Sequence, residues 1–168
     1  MKKKGFTIIE SLVAIAILLV AVSGASSAIQ TGISSYIFSK DQIIAFYLAQ
    51  EGFEQIRNIR DENSLAGDTW LTNLSSCFTA NGCYVDILAP NPVPETCGSD
   101  CPILRQHPTS GFYGYDSSWN TTVFKREIVL EDINDNEVSI LVTVDWSKGT
   151  VSRQFKAREN ILNWQNDE

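Results

Sequence analysis

Chemistry in this chain is most legible at Glu10, the only charge between Phe6 and Ser39. Every residue from Leu12 to Val22 is apolar, so the stretch is long and greasy enough to enter a bilayer. A carboxylate inside a membrane helix costs roughly 2.5 to 3.5 kcal/mol on insertion scales, so it calls for a partner. Lys2, Lys3 and Lys4 stop at Gly5, a small residue where a peptidase can cut. Cleavage there would free an amine on Phe6, four residues before Glu10. Amine and carboxylate on neighbouring helices would then neutralise each other where water is scarce.

Lys2-Lys3-Lys4-Gly5-Phe6-Thr7-Ile8-Ile9-Glu10 and the apolar run after it resemble the N-terminus of the type IV pilin superfamily, which includes the pseudopilins of type II secretion and of competence. The family pattern is a short basic leader ending in glycine, then Phe-Thr-x-x-Glu and an apolar helix. The resemblance implies that a prepilin peptidase cuts between Gly5 and Phe6 and methylates the new Phe6 amine. It also implies that Glu10 pairs with a neighbouring subunit's N-terminus during assembly. Ala49, Gln50, Glu54 and Arg57 are further similar to an Ala-Gln-x-x-x-Glu-x-x-Arg pattern of minor pilins and minor pseudopilins. The partners so implied are other pilin or pseudopilin subunits, the prepilin peptidase, an inner-membrane assembly platform, and membrane lipid before assembly.

Two other readings share the same residues. A basic start and an apolar core also describe an ordinary secretory signal, with Ala21-Val22-Ser23 or Ser26-Ser27-Ala28 for its peptidase. The product would be a secreted, disulfide-bonded binding module. Such a signal has no need of Glu10, and its apolar region normally spans only about 7 to 15 residues. A plain membrane anchor would leave Gly5 and Glu10 without a role.

The chain has 13 basic and 20 acidic residues, net −7, and loses three lysines if the leader is removed. So acidic a body is a poor phosphate binder, and no direct nucleic-acid binding is expected. Lysines before the span and acidic bulk after it place the N-terminus in the cytoplasm and the head across the cytoplasmic membrane, by the positive-inside rule. After assembly the chain would reside in an extracellular or periplasmic filament.

Cys77, Cys83, Cys97 and Cys101 all fall in the part expected outside the cytoplasm, where an even number reads as disulfides with three possible connectivities. Proximity favours Cys77 with Cys83 and Cys97 with Cys101. Zinc is the rival, although the gap from Cys77 to Cys83 is wider than usual ligand spacing. Asp132, Asn134, Asp135, Asn136 and Glu137 have the oxygens of a calcium site but no EF-hand pattern, and read first as a hairpin turn. His107, the sole histidine, has no nucleophile beside it and reads as a surface residue. Without a metal-binding helix motif, a phosphate loop or a nucleophile with a base, the sequence points to no enzyme, and no metal or cofactor is expected.

These residues need a scaffold. Ile33, Ile37, Ile44, Leu48, Gly52, Ile56 and Ile59 recur mostly three or four apart, predicting a helix from Phe6 to Arg60, about 80 Å at 1.5 Å per residue. Arg57 and Arg60 would sit at its C-terminus, suiting the dipole, and Asp61-Glu62-Asn63-Ser64 and Gly67-Asp68 would end it. Trp70, Leu71 and Leu74 would pack the next segment against it. Cys83 to Leu88 alternates as a strand, and the proline-rich stretch from Ala89 to Gly111 reads as a cross-linked loop. Val123 to Leu130, Val138 to Trp146 and Thr150 to Ala157 predict an antiparallel meander, with Val138, Ile140, Val142 and Val144 facing the helix. The fold class is α+β, in which a long N-terminal helix, membrane-embedded in its first half, packs on a small antiparallel sheet with a disulfide-pinned loop. By the resemblance this is the pilin architecture. The divisions expected are a cleaved leader at 1–5, a transmembrane and assembly half-helix at 6–28, an amphipathic half at 29–61 and a β-rich head at 62–168.

Overall fold

The computed structural model describes Gly5 and residues 7–86, 88–89 and 92–164. The chain divides into two compact units, Met1–Gln42 and Ile43–Glu168. One helix, α1, runs from Ile8 to Ala66. In the first unit every described residue from Thr7 through Tyr36 is exposed, including the whole apolar run. By length and composition this helix can cross a membrane, with a mean hydropathy of 2.4 over its most apolar window.

The second unit is an α+β body. Ala45, Leu48, Ala49, Phe53, Ile56 and Ile59 of α1 are buried at helical spacing. Seven strands follow: β1 Cys83–Tyr84, β2 Glu95–Thr96, β3 Ile103–Gln106, β4 Tyr113–Gly114, β5 Asn120–Asn134, β6 Glu137–Lys148 and β7 Val151–Leu162. All their pairings are antiparallel. β5 is the spine: one edge pairs with β6 from Phe124↔Trp146 to Asn134↔Glu137, while β3 and β1 share the other. β7 lies beyond β6, β2 beyond β1 and β4 beyond β3.

The expected meander is present with longer strands, and Val138, Ile140, Val142 and Val144 are fully buried. Helix and sheet meet closely at Gly52, where a Cβ would lie 3.1 Å from Val142 Cγ1. Asp135-Asn136 turns β5 into β6, with the Asn136 N–H donating to Asn134 Oδ1 at 3.0 Å. Gly149-Thr150 turns β6 into β7, and Gly149 has the positive φ of 61° that the tight turn requires. Trp70 and Leu74 are buried as expected, and Leu71 is half-buried.

Several expectations are corrected. The helix ends six residues beyond Arg60, and Asp61-Glu62-Asn63-Ser64 lies inside it instead of forming a turn after it. The terminator is Gly67 at φ 77°: its N–H donates to Ser64 O at 3.3 Å, and that of Asp68 to Asn63 O at 3.0 Å, a Schellman ending. Asn63 is buried because its side chain donates to Thr72 O at 2.7 Å, fixing the following segment. Arg57 and Arg60 therefore do not complement a helix end; Arg57 pairs with Glu54 and with Glu159 of β7, and Arg60 with Asp61. The sheet-facing stripe starts near Ile44, since Ile33 is exposed.

The strand expected over Cys83 to Leu88 is confined to Cys83–Tyr84, with Ile87 outside the described residues. The stretch read as loop contains β2 and β3. Pro94 and Pro102 immediately precede these strands and Pro108 follows β3, so each lies outside the ladder, where its missing N–H costs no strand pairing. Pro90, also part of that reading, lies outside the described residues.

Candidate assembly and processing site

Of the residues singled out for processing, Gly5 is exposed, while Phe6 and the lysines before it lie outside the described residues. Thr7 and Glu10 form a capping box at the start of α1. Glu10 Oε2 accepts from the Thr7 N–H at 3.0 Å and from the Thr7 hydroxyl at 2.9 Å, and the Glu10 N–H points back to Thr7 Oγ1 at 3.4 Å. Thr7 and Glu10 thus satisfy each other's backbone N–H, two of the donors a helix N-terminus leaves open, and Glu10 adds an anion where the dipole favours one. Thr-x-x-Glu is the sequence signature of this box, so Glu10 has a local role in addition to its charge. Ile9, Val13, Ala14 and Ile17 share one surface depression with Glu10, so the carboxylate is set in an apolar wall.

The second unit has its own buried charge, which the sequence reading missed. Arg126 of β5 is 1% exposed. Its Nη1 donates to Leu48 O at 3.2 Å and lies 3.4 Å from Glu51 Oε2, while Nη2 reaches Val85 O at 3.5 Å. One guanidinium thereby fastens α1, β5 and the segment after β1. Gly52 permits this approach, because a Cβ there would lie 3.3 Å from Arg126 Cδ. A signal was available: Phe124, Arg126, Ile128 and Leu130 alternate in phase, all four buried. Burial raises the Tyr115 hydroxyl pKa above its ordinary value, an effect the nearby Arg126 opposes.

The structure bonds Cys77 to Cys83 and Cys97 to Cys101. The first ties the 3₁₀ turn Ser75–Phe78 to β1; the second closes the loop from β2 to β3. No thiol is left to bind zinc. Tyr84 donates to Glu95 across the β1–β2 pair, and this bond pushes its hydroxyl pKa up to about 12.

His107, read as a surface residue, is half-buried and holds the turn that follows β3. Its Nδ1 accepts from the N–H of Thr109 at 3.3 Å and of Ser110 at 3.1 Å, and its ring meets Trp119 edge-on at 4.9 Å. In the Asx-rich turn Asn134 donates to Glu137, which also accepts from Asn160 of β7. Among the described residues no group of three or more His, Cys, Asp or Glu is placed to hold a metal ion.

Residues 1–26 match the family described as the prokaryotic N-terminal methylation motif. No curated protein and no solved structure matches the chain. The matched segment contains the basic leader, Gly5, Phe6, the Thr7–Glu10 box and the apolar run. The chain carries a prepilin-type N-terminal motif of the kind found in type IV pilins and pseudopilins.

Proposed function

We propose that this protein is a structural subunit of a type IV pilus or type II secretion pseudopilus, of the minor pilin or minor pseudopilin kind, and not an enzyme. The observation that carries the proposal is the methylation motif at residues 1–26, set on a helix whose apolar residues are exposed in the single chain. Prepilin peptidase removes residues 1–5 and methylates Phe6. Residues 6–28 hold the subunit in the inner membrane, with the N-terminus cytoplasmic, and later pack among other subunits. The amphipathic part from residue 29, which continues to Ala66, carries the head. Residues like Ala49, Gln50, Glu54 and Arg57 support the minor-subunit reading.

Leaving lipid for a bundle of helices exchanges one apolar surrounding for another, so hydrophobicity contributes little to the choice of neighbour. Glu10 supplies that choice by exchanging its own Thr7 donors for the Phe6 amine of the next subunit. Glu10→Ala is therefore expected to be inserted and cleaved normally while its recovery in sheared filaments falls by about tenfold or more, the equivalent of 1.4 kcal/mol per decade. Normal recovery of that variant would remove the role assigned to Glu10.

A further inference from the structure

The turn from β3 to β4 is closed by the ring of His107, the one histidine in the chain. Its Nδ1 accepts from the Thr109 N–H at 3.3 Å and from the Ser110 N–H at 3.1 Å, and lies 3.2 Å from the Thr109 hydroxyl. Two N–H groups can share that nitrogen only while its lone pair is free, so the neutral ring carries its proton on Nε2. The foot of the turn is held differently. The His107 N–H donates to Phe112 O at 2.8 Å, the Gly111 N–H to His107 O at 3.2 Å, and Gln106 Nε2 to Gly111 O at 3.2 Å, none of them through the ring.

Protonation gives imidazole an N–H at both nitrogens. Nδ1 would then turn a donor toward two backbone donors, and both bonds are lost. The Thr109 hydroxyl can act in either direction, so it is at hand to accept from the new N–H. The ring therefore has two bonded arrangements, of which only the neutral one holds the turn.

The charges around the ring are few and of both signs. Asp116, between β4 and β5, has its carboxyl held below the ordinary pKa first by the N–H and hydroxyl of Ser118, and further by Arg105 and His107. Arg105 of β3 donates to Ser117 O at 3.0 Å and to Trp119 O at 3.1 Å, which sets a cation against the same segment. Trp119 meets the His107 ring edge-on and brings no charge, and Tyr113 of β4 turns its ring to Phe124. One anion and one cation offset each other, so the two backbone bonds decide how the turn responds.

We propose that His107 is a proton-operated latch on this turn: neutral, it holds Thr109 and Ser110 closed, and charged, it releases them while β3 and β4 stay paired. The bonds are present at high pH and lost as pH falls through the range where imidazole titrates, about pH 8 to 5. The released residues adjoin Phe112, which is 66% exposed, so acid changes the backbone beside an apolar side chain that the head offers to solvent. This inference goes beyond the subunit reading and does not depend on it.

NMR of the isotopically labelled full-length protein in detergent micelles, titrated from about pH 8 to 5, tests it. As the His107 ring signals move to their protonated positions, the Thr109 and Ser110 amide signals are expected to move with the same midpoint. Their protection from exchange should fall by about tenfold or more, as the loss of two hydrogen bonds implies. Amides of β5 and β6 should stay protected throughout, which separates the latch from acid unfolding. His107→Phe should leave Thr109 and Ser110 unprotected already at about pH 8 and abolish the transition, whereas Asp116→Asn should retain it. Thr109 and Ser110 amides that ignore the titration of the ring, a transition that survives His107→Phe, one that vanishes in Asp116→Asn, or β5 and β6 opening at the same midpoint would each overturn the latch.

Discussion

At Gly52 two effects of opposite sign compete. Alanine would improve helix propensity by about 1 kcal/mol. Its Cβ, however, would lie 3.1 Å from Val142 Cγ1 and 3.3 Å from Arg126 Cδ, in a layer where overpacking costs about 1 to 3 kcal/mol. Because Val142 and Arg126 are both buried, the crowding wins, and Gly52→Ala is expected to lower the thermal midpoint of the second unit by a few degrees. An unchanged or higher midpoint would show that the sheet yields. Arg126→Ala removes donors from the carbonyls of Leu48 and Val85 and leaves a cavity, at a cost of about 3 kcal/mol in denaturant unfolding. The figure sits at the low end for a broken buried pair because Glu51 still reaches solvent. Glu127 has the reverse sign. Burial, and then the neighbouring Asp145, raise its pKa above the ordinary carboxylate value. Its contribution to stability is therefore present below the unfolded-state pKa and lost as pH rises through the folded one. Glu127→Gln should raise the midpoint at about pH 7 and give no gain at about pH 3, and a gain equal at both would exclude this origin. Residue roles were legible only where composition made them conspicuous. Glu10 stands out as a lone charge in apolar sequence, whereas Arg126 sits between Lys125 and Glu127 and is distinguished only by its phase.

For the elements, the sequence was most informative where side-chain periodicity is sustained. Val138, Ile140, Val142 and Val144 alternate over enough residues to identify β6 and its buried face. The short strands β1 to β4 have two to four residues each, too few for a period, and β5 rather than their own sequence holds β1 and β3 in the sheet. The helix end was misplaced because Asp61 to Ser64 look like turn formers, while the real stop is set by the left-handed backbone at Gly67. With nothing within 4 Å of a Cβ there, Gly67→Ala isolates the backbone cost and should destabilise the second unit by about 1 kcal/mol. The Cys77–Cys83 bond closes a loop with a sequence separation of six, for which chain entropy suggests about 2 kcal/mol. Replacing both cysteines by serine should lower unfolding free energy by that amount while β5, β6 and β7 remain, as amide exchange on those strands would report.

On the scale of the whole molecule, the chain joins a segment with no buried core to one with a complete core. Residues from Thr7 through Tyr36 are exposed and mostly apolar, a surface that lipid or other helices must cover. The second unit has a helix stripe, a sheet face and two disulfides within it. The long apolar helix and the antiparallel sheet were both anticipated from residue patterns, although the order of the short strands was not. The whole account depends on processing at Gly5 with retention of the apolar helix. Intact mass spectrometry of the protein purified from membranes tests this most directly. The account predicts a chain beginning at Phe6, one methyl group heavier than the unmodified residue, with both disulfides oxidised; a chain beginning between Ser23 and Ile29, with the helix gone, would contradict it.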